Sequence, residues 1–321
     1  MPAISAIQET IAAELEQVCE IFERELASEL PAVNELCAHV GRYRGKMLRP
    51  ALVLLSARAC GSIRPAHLTV AAVVEMVHMA TLVHDDVLDE GELRRGSPTI
   101  NRLEGNETAV LLGDYLISHA FHLCSSLDSL YALRCIAATA NTICAGELQQ
   151  VRQRGNLDLN IETYLEIIDR KTASLAQVCC RLGAHFAGAD EQVADLLAGY
   201  GRDLGIAFQI TDDILDIAGN EAQMGKTLGR DLAKKKLTLP MIHGLSKGNG
   251  ELRSQLGVTS PSPVDRARLR ELLDTTASLI YAQDTARQYI TSATARIRQL
   301  PSSATAEQLI RIADMVIKRE I

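Results

Sequence analysis

Asp85, Asp86 and Asp89 close an apolar run that reads Met76-Val77-His78-Met79-Ala80-Thr81-Leu82-Val83-His84-Asp85-Asp86-Val87-Leu88-Asp89. On a helix Asp85 and Asp89 stand at i and i+4, on one face and about 5 to 6 Å apart at Cβ, with Asp86 beside them. Three anions so close repel one another unless a cation lies among them. Oxygen ligands suit hard cations, and Mg²⁺ binds through one or two carboxylates while water and substrate phosphates complete its octahedron. A solvated acidic turn would explain one such cluster equally well. The spacing recurs, however, at Asp212-Asp213-Ile214-Leu215-Asp216, again after an apolar helical run. Two copies point to a Mg²⁺ and phosphate site, with Asp85, Asp86, Asp89, Asp212, Asp213 and Asp216 as candidate ligands.

Phosphates also require cations from the protein, and basic residues recur around both clusters. Gly41-Arg42-Tyr43-Arg44-Gly45-Lys46-Met47-Leu48-Arg49-Pro50 reads as a loop opening a helix, with Pro50 suited to the first turn. A helix N-terminus flanked by Lys46 and Arg49 attracts anions, Arg bidentately and Lys as a point charge; a solvated basic loop is the alternative. After Asp89, Gly91 and Gly96 mark a loop that holds Arg94 and Arg95, and Ser97 followed by Pro98 reads as the N-cap and first position of the next helix. The two arginines either neutralise the acidic cluster or grip a diphosphate from the side opposite the metals. Lys171-Thr172 interrupts an otherwise apolar helical face, where a lysine needs a partner or a ligand. Behind the second acidic cluster, Gly225 to Lys236 is a glycine-punctuated basic stretch that contains Lys226. An acidic cluster followed by a basic loop thus occurs twice, which suits a cleft that closes over phosphates.

The elements that must position these residues are helices. No proline lies between Pro98 and Pro240, and the intervening Ala, Leu, Ile, Glu and Gln place apolar residues at spacings of three and four. This predicts an all-α protein, a large helical bundle forming a single domain over residues 1–321, with no strand of useful length. Helices are expected over residues 106–126, 131–150, 161–186 and, in several pieces, 266–321. Residues 4–36 read as an amphipathic packing or dimer helix stopped by Pro31, and residues 246–264 as a polar loop.

Composition excludes other classes. The net charge of −7 argues against a general nucleic-acid binder, whose affinity would rest on a basic surface. Eight cysteines, without a Cys-x-x-Cys pair and mostly inside apolar patterns, read as reduced thiols and predict a cytoplasmic protein. Met1-Pro2-Ala3-Ile4-Ser5 lacks the basic region and apolar run of a signal peptide. Apolar runs stop short of the ~18 residues of a transmembrane segment, and Glu75 interrupts the one around Val70.

The chain resembles the trans-polyprenyl diphosphate synthases, over nearly its whole length. The resemblance rests on Gly45-Lys46-x-x-Arg49-Pro50, His78, Asp85-Asp86-x-x-Asp89, Arg94-Arg95-Gly96, Gly146-Glu147-x-x-Gln150, Lys171-Thr172, Phe208-Gln209-x-x-Asp212-Asp213-x-x-Asp216, and Gly225-Lys226 through Lys236-x-Thr238-Leu239-Pro240. It implies an isoprenoid synthase-like bundle around a deep central cavity. It also implies a Mg²⁺-dependent prenyltransferase that condenses isopentenyl diphosphate with an allylic prenyl diphosphate, farnesyl or geranylgeranyl, by ionisation, condensation and elimination. By the same resemblance, Asp85, Asp86, Asp89 and Asp212 would hold three Mg²⁺ on the allylic diphosphate, with Asp213 and Asp216 as weaker or water-mediated contacts. Arg94, Lys171 and Lys226 would complete that site with Lys236 close by, and Lys46, Arg49, His78 and Arg95 would grip isopentenyl diphosphate. Gln209 and the carbonyl of Thr172 would face the cationic carbon. Departures from the family pattern are few: Met47 and Leu48 replace Arg-Ile or Arg-Leu, Met79 replaces Thr, and Lys235 replaces a glycine. The family is usually dimeric, which implies a homodimer.

Product length follows from the wall that leads away from Asp85. Thr81 lies one helical turn, ~5.4 Å, deeper, with Ala80 beside it. Short-chain members of the resembled family block this level with Phe or Tyr, whereas both residues here are small. A growing chain is therefore expected to pass, giving a product on the octaprenyl scale for quinone side chains, handed on to a membrane. Phe121 and His122 are candidates for the floor, a core role for Phe121 being the alternative. Competing readings are a geranylgeranyl diphosphate synthase and a non-catalytic regulatory subunit of a heteromeric synthase, though the latter would be expected to have lost carboxylates that this chain keeps. A class I terpene cyclase is disfavoured by Lys46, Arg49 and His78, which it would not need.

Overall fold

The computed structural model describes residues 9–43, 45–219, 228–248, 250–257 and 263–318. Its helices are Ala12–Glu25, Pro31–Gly41, Leu48–Cys60, Pro65–Leu88, Ile100–Ser125, Leu130–Arg152, Ile161–Ile168, Ser174–Ala187, Glu191–Ala218, Arg230–Ala233, Leu239–Ser246, Gly250–Leu256, Pro263–Thr275, Ser278–Ile297 and Ala304–Ile317, with a π-helical turn at Asp169–Ala173. Among the described residues the one sheet is a two-residue ladder that pairs Leu93 with Pro98 and Arg94 with Ser97. The all-α expectation therefore holds. Two compact units share the chain: one comprises Met1–Ala140, Leu175–Gly201 and Ile297–Leu309, the other Asn141–Ser174, Arg202–Arg296 and Ile310–Ile321.

The first unit is built on Pro65–Leu88, which packs chiefly against Ile100–Ser125 and also against Leu48–Cys60 and Ala12–Glu25. Val70, Val73, Val74, Met76, Val77, Met79, Ala80 and Val83 are all buried on it. At ~1.5–3 kcal/mol for each fully buried large apolar side chain, packing rather than propensity fixes this helix. Over an 18-residue window its mean hydropathy is 1.6, enough by length and composition alone to cross a membrane, yet 67% of the window is buried inside the protein, as in a core helix. Averaging over the window absorbs Glu75 and His78, which break a strict apolar run.

Pro65 opens that helix, and His67 fastens its first turn. The Arg64 N–H donates to His67 Nδ1 at 2.8 Å, and His67 Nε2 lies 3.1 Å from the carbonyl of Gly183. The ring is thus a neutral imidazole with its proton on Nε2, and burial lowers its pKa from 6.5. Protonation would set a second N–H against that of Arg64. A base whose folded pKa is depressed binds its proton more readily in the unfolded chain, so its stabilisation is complete above the ordinary histidine value and is lost as pH falls below it. We expect stability to fall between pH 7.5 and pH 5.5 and this fall to shrink in His67→Gln, as measured by urea unfolding at both pH values.

Three boundaries differ from the sequence reading. Pro31 starts a second helix rather than ending the first, because the missing N–H of proline costs nothing at the first helical position. Ser97 and Pro98 lie in the ladder, and the next helix begins at Ile100 after Thr99. Arg95 and Gly96, with φ of 51° and 78°, make the left-handed turn that closes the hairpin. The carbonyl of Pro98 is taken by the Tyr43 hydroxyl at 3.1 Å and lies 2.7 Å from His39 Nε2. Finally, Gly250–Leu256 is helical within the expected polar loop, with Leu252 and Leu256 buried one turn apart.

In the second unit the helical path is broken by the π-helical turn Asp169–Ala173, which carries Lys171 and Thr172. Gly146 and Gly205 make room for it. A Cβ on Gly146 would lie 2.8 Å from the Lys171 nitrogen, and one on Gly205 would lie 2.6 Å from Ala173 Cα. Backbone cannot give way as a flexible side chain can, so Gly205→Ala should cost ~1–3 kcal/mol by overpacking. We expect a thermal midpoint lower by several degrees and reduced turnover, read by calorimetry and a steady-state assay; an unaltered midpoint would mean that the turn is not clamped there. Behind the turn, Leu159, Tyr164, Ile168, Ile206, Ile210, Ile214, Leu237 and Leu239 belong to the apolar core of this unit.

Candidate active site

In the first unit the acidic cluster sits where Pro65–Leu88 ends, with Asp89 as the C-cap and its N–H donating to the Asp85 carbonyl at 2.8 Å. Asp86 is buried, Asp85 half-buried and Asp89 exposed. Arg94 grips Asp86 with both prongs, Nε to Oδ2 at 2.8 Å and Nη2 to Oδ1 at 2.7 Å. This charge-assisted fork is the strong geometry for a guanidinium and a carboxylate. It also relieves part of the repulsion in the cluster, as one of the two readings of Arg94 anticipates. The loop between them is held tightly. The Gly91 N–H donates to the Asp86 carbonyl at 2.8 Å, while the Gly91 carbonyl accepts from the Thr99 hydroxyl at 2.6 Å and from Asn101 Nδ2 at 3.1 Å.

His78 lies two helical turns before Asp85, half-buried, and is surrounded by cations. Burial, and then the charges of Arg49, Arg94 and Arg95, hold its pKa well below 6.5, so it stays a neutral imidazole. The structure thus gathers four of the predicted residues. Arg95 reaches the Gly45 segment, where a Cβ would meet its guanidinium nitrogens. Lys46 is exposed and Arg49 half-buried at the start of Leu48–Cys60. Arginines around a neutral donor-acceptor ring make an anion-binding corner. Burial and then the charge of Arg94 lower the Arg95 pKa, and Glu75, buried on the same helix, works against them.

One turn before Asp85, Thr81 is half-buried and its hydroxyl donates to the His78 carbonyl at 2.7 Å, while Ala80 is fully buried. Phe121 is half-buried. His122 is no floor residue: it lies on the surface with its side chain 77% exposed and its Nδ1 on Glu25.

In the second unit Asp213 and Asp216 are buried and Asp212 is half-buried. Asp213 accepts from the Tyr164 hydroxyl on Oδ2 at 2.7 Å and from Gln209 Nε2 on Oδ1 at 2.7 Å, with Lys236 Nζ 3.7 Å away. Burial pushes the Asp213 carboxyl up to about 6, against the lowering effect of Lys236. Gln209 in turn accepts from the Thr172 hydroxyl at 2.9 Å, so Thr172, Gln209, Asp213 and Tyr164 form one chain of hydrogen bonds. Lys171 is ion-paired with Glu147, which also accepts from Gln150 Nε2 at 3.2 Å. Asp216 accepts the Asp231 N–H on Oδ2 at 3.1 Å and so caps the short helix Arg230–Ala233. Lys236 donates to Asp231 at 3.1 Å. Lys226 lies outside the described residues.

Sequence reasoning assigned no role to Tyr164, Glu147 or Asp231. Tyr164 had a signal, as the one hydroxyl buried in the apolar helix Ile161–Ile168, since a buried phenol requires a partner. The demand of Lys171 for an anion was legible, and Glu147 meets it from the motif that includes Gly146.

All the acidic donors are oxygen, which fits a hard divalent cation and not a thiolate-seeking one. Asp86, Asp213 and Asp216 are held by the contacts described. Oxygen donors of this kind suit a metal-bound diphosphate, and in the second unit Thr172 and Gln209 lie on the same chain of hydrogen bonds as Asp213.

Comparison with known proteins gives a consistent result. Residues 30–275 match the Polyprenyl synthetase family. The chain is 33% identical to the octaprenyl diphosphate synthase of Escherichia coli strain K12 over 320 residues, covering 99% of each chain. Among solved structures, a decaprenyl diphosphate synthase from Rhodobacter capsulatus superposes with a TM-score of 0.93 at 33% identity, covering 98% of this chain and 99% of that one. A polyprenyl synthase from Caulobacter crescentus CB15, complexed with calcium and isoprenyl diphosphate, gives a TM-score of 0.94 at 32% identity, over 99% and 98%.

Proposed function

This chain belongs to the polyprenyl synthetase family, and on that premise we propose that it makes all-trans octaprenyl diphosphate from isopentenyl diphosphate and farnesyl or geranylgeranyl diphosphate. That it is a long-chain trans-prenyltransferase follows from its relatives. The observation that carries the reaction is the pair of carboxylate clusters, one ordered by the Arg94 fork on Asp86 and the other by the Tyr164 hydroxyl on Asp213; the product length rests on the likeness to an octaprenyl diphosphate synthase and on the small side chain of Thr81.

By family resemblance, Asp85, Asp86, Asp89 and Asp212 would hold three Mg²⁺, with Asp213 and Asp216 as weaker or water-mediated contacts. Support for a hard divalent ion is the all-oxygen donor set, and the Caulobacter polyprenyl synthase was solved with calcium. When bound, the metal supplies charge that stabilises the departing diphosphate. Arg94, Lys171, Lys226 and Lys236 bind the allylic diphosphate. Lys46, Arg49, Arg95 and neutral His78 bind isopentenyl diphosphate and orient its double bond toward the allylic carbon. The allylic C–O bond breaks, the double bond attacks the cation, and a proton leaves to the released diphosphate. Gln209 and the Thr172 carbonyl present oxygen toward the cationic carbon, and no side-chain nucleophile is needed.

The small, half-buried Thr81 leaves room for a growing chain, whereas Ala80 is fully buried, and Phe121 is proposed as the floor. Leu103 and, beyond the non-helical Gly105, Val110 and Leu111 are exposed on Ile100–Ser125 and support pairing with a second copy of this chain. All eight cysteines are thiols, in keeping with a cytoplasmic enzyme that hands its product to a membrane.

The test is product analysis by reverse-phase chromatography and mass spectrometry after incubation with Mg²⁺, isopentenyl diphosphate and farnesyl diphosphate. Octaprenyl diphosphate is the expected main product. Termination at geranylgeranyl diphosphate would overturn the length assignment, and no incorporation would favour the regulatory-subunit reading.

A further inference from the structure

Away from both acidic clusters, the helices Ala12–Glu25 and Ile100–Ser125 bring three other side chains together. His119 Nδ1 lies 3.2 Å and His122 Nδ1 2.7 Å from one oxygen, Glu25 Oε1. Among the described residues this is the set of His, Cys, Asp and Glu whose ligand atoms all lie within 4.8 Å of one another. None of the three has a part in prenyl transfer. Two imidazoles one helical turn apart aim the same ring nitrogen at a single carboxylate oxygen, more than a simple ion pair requires.

The distances suit a metal. In tetrahedral coordination, Zn²⁺ bonds of ~2.0–2.2 Å put neighbouring ligand atoms ~3.3 Å apart. The separation of His119 and Glu25 already has this value. His122 must withdraw by roughly 0.6 Å to reach the same ligand spacing, and its side chain is 77% exposed. The other two are set in place: the Glu25 side chain is 16% exposed, and the His119 ring packs against Tyr115 with centroids 4.3 Å apart. Pre-set ligands lower the ordering cost of binding. The donor chemistry differs from that of the aspartate clusters. Two imidazole nitrogens and one carboxylate select an imidazole-preferring cation, while oxygen-only sites select hard ones.

We propose that Glu25, His119 and His122 form a site for one Zn²⁺, with water as its fourth ligand. The ion joins the C-terminal end of Ala12–Glu25 to the last turns of Ile100–Ser125, across 94 residues of chain between Glu25 and His119.

The test uses the whole protein, stripped with a chelator and returned to excess Mg²⁺, then titrated with Co²⁺ and with Zn²⁺. The expected result is one equivalent of Co²⁺ with visible ligand-field bands, no near-ultraviolet thiolate charge-transfer band, displacement by Zn²⁺, and a thermal midpoint that rises with Zn²⁺ concentration. Glu25→Gln and His122→Ala should each weaken binding by about tenfold or more, and His119→Ala with His122→Ala by about a hundredfold or more, while Asp85→Asn and Asp212→Asn retain it. Far-ultraviolet circular dichroism of the metal-free variants establishes that they are folded; Glu25→Gln and His122→Ala keep the test decisive if His119→Ala is not. No binding by the parent, thiolate bands, or binding that survives these substitutions would overturn the proposal.

Discussion

Turnover by Asp85→Asn is expected to fall by on the order of 10²–10³, with the thermal midpoint close to that of the parent. Asp85 is half-buried at the end of Pro65–Leu88, and the Arg94 fork is held by Asp86. The substitution therefore removes one charge that would stabilise the leaving diphosphate without opening the buried ion pair. Asp86→Asn should behave differently, because it strands a guanidinium whose side chain is only 24% exposed. Breaking a buried pair from one side costs ~3–5 kcal/mol, so that variant loses both activity and stability. The comparison needs steady-state kinetics at saturating substrates beside calorimetry. Near-parental turnover in Asp85→Asn would remove Asp85 from the metal site, and equal destabilisation of the two variants would show that the Arg94 pair is not what orders the cluster.

The second large effect concerns what is made rather than how fast. Thr81→Phe places an aromatic ring one turn, ~5.4 Å, from Asp85 on the same helix. Thr81 is half-buried with its hydroxyl already satisfied by the His78 carbonyl at 2.7 Å, so its loss leaves no polar group of its own in need of a partner. Its neighbour Ala80 is wholly enclosed and cannot yield space. We expect the main product to shorten by several isoprene units, to geranylgeranyl diphosphate or below, while the first condensations continue at a rate within about tenfold of the parent, a margin of ~1.4 kcal/mol. Chromatography of the products decides it: an unchanged octaprenyl distribution would move the length determinant elsewhere, Phe121 being the next residue to substitute.

How far the sequence reached can be judged residue by residue. The helices and the two carboxylate clusters were legible, because periodicity and charge are local properties of the chain, whereas the grouping of Arg49 and Arg95 with His78 was implied only by the family resemblance. Prolines were less so. Pro31 and Pro98 both lack an N–H, and a missing donor is tolerated at a helix start and at a strand edge alike, so composition could not say which. The helix Gly250–Leu256 announced itself only through two leucines in a polar stretch. The Tyr164 partner of Asp213 was out of reach, since it is 49 residues away and nothing local couples the two. The same holds for the capping role of Asp216, which depends on a helix that starts at Arg230. Lys235 was noted as a departure where the family has a glycine, and its φ of 53° supplies the reason a glycine would suit.

The wide turn at Asp169–Ala173 also bears on ancestry. A helix that closes through five residues instead of four is, in effect, an ordinary helix into which one amino acid has been inserted. Every side chain on one flank is thereby rotated about 100° relative to the other flank, as 3.6 residues per turn require. Deleting a single residue there would restore a regular spiral and sweep either Lys171 or the apolar face of Ser174–Ala187 out of its present direction. The length of this segment is therefore under tighter constraint than the identity of most residues in it, and gaps among functional relatives are expected to avoid it.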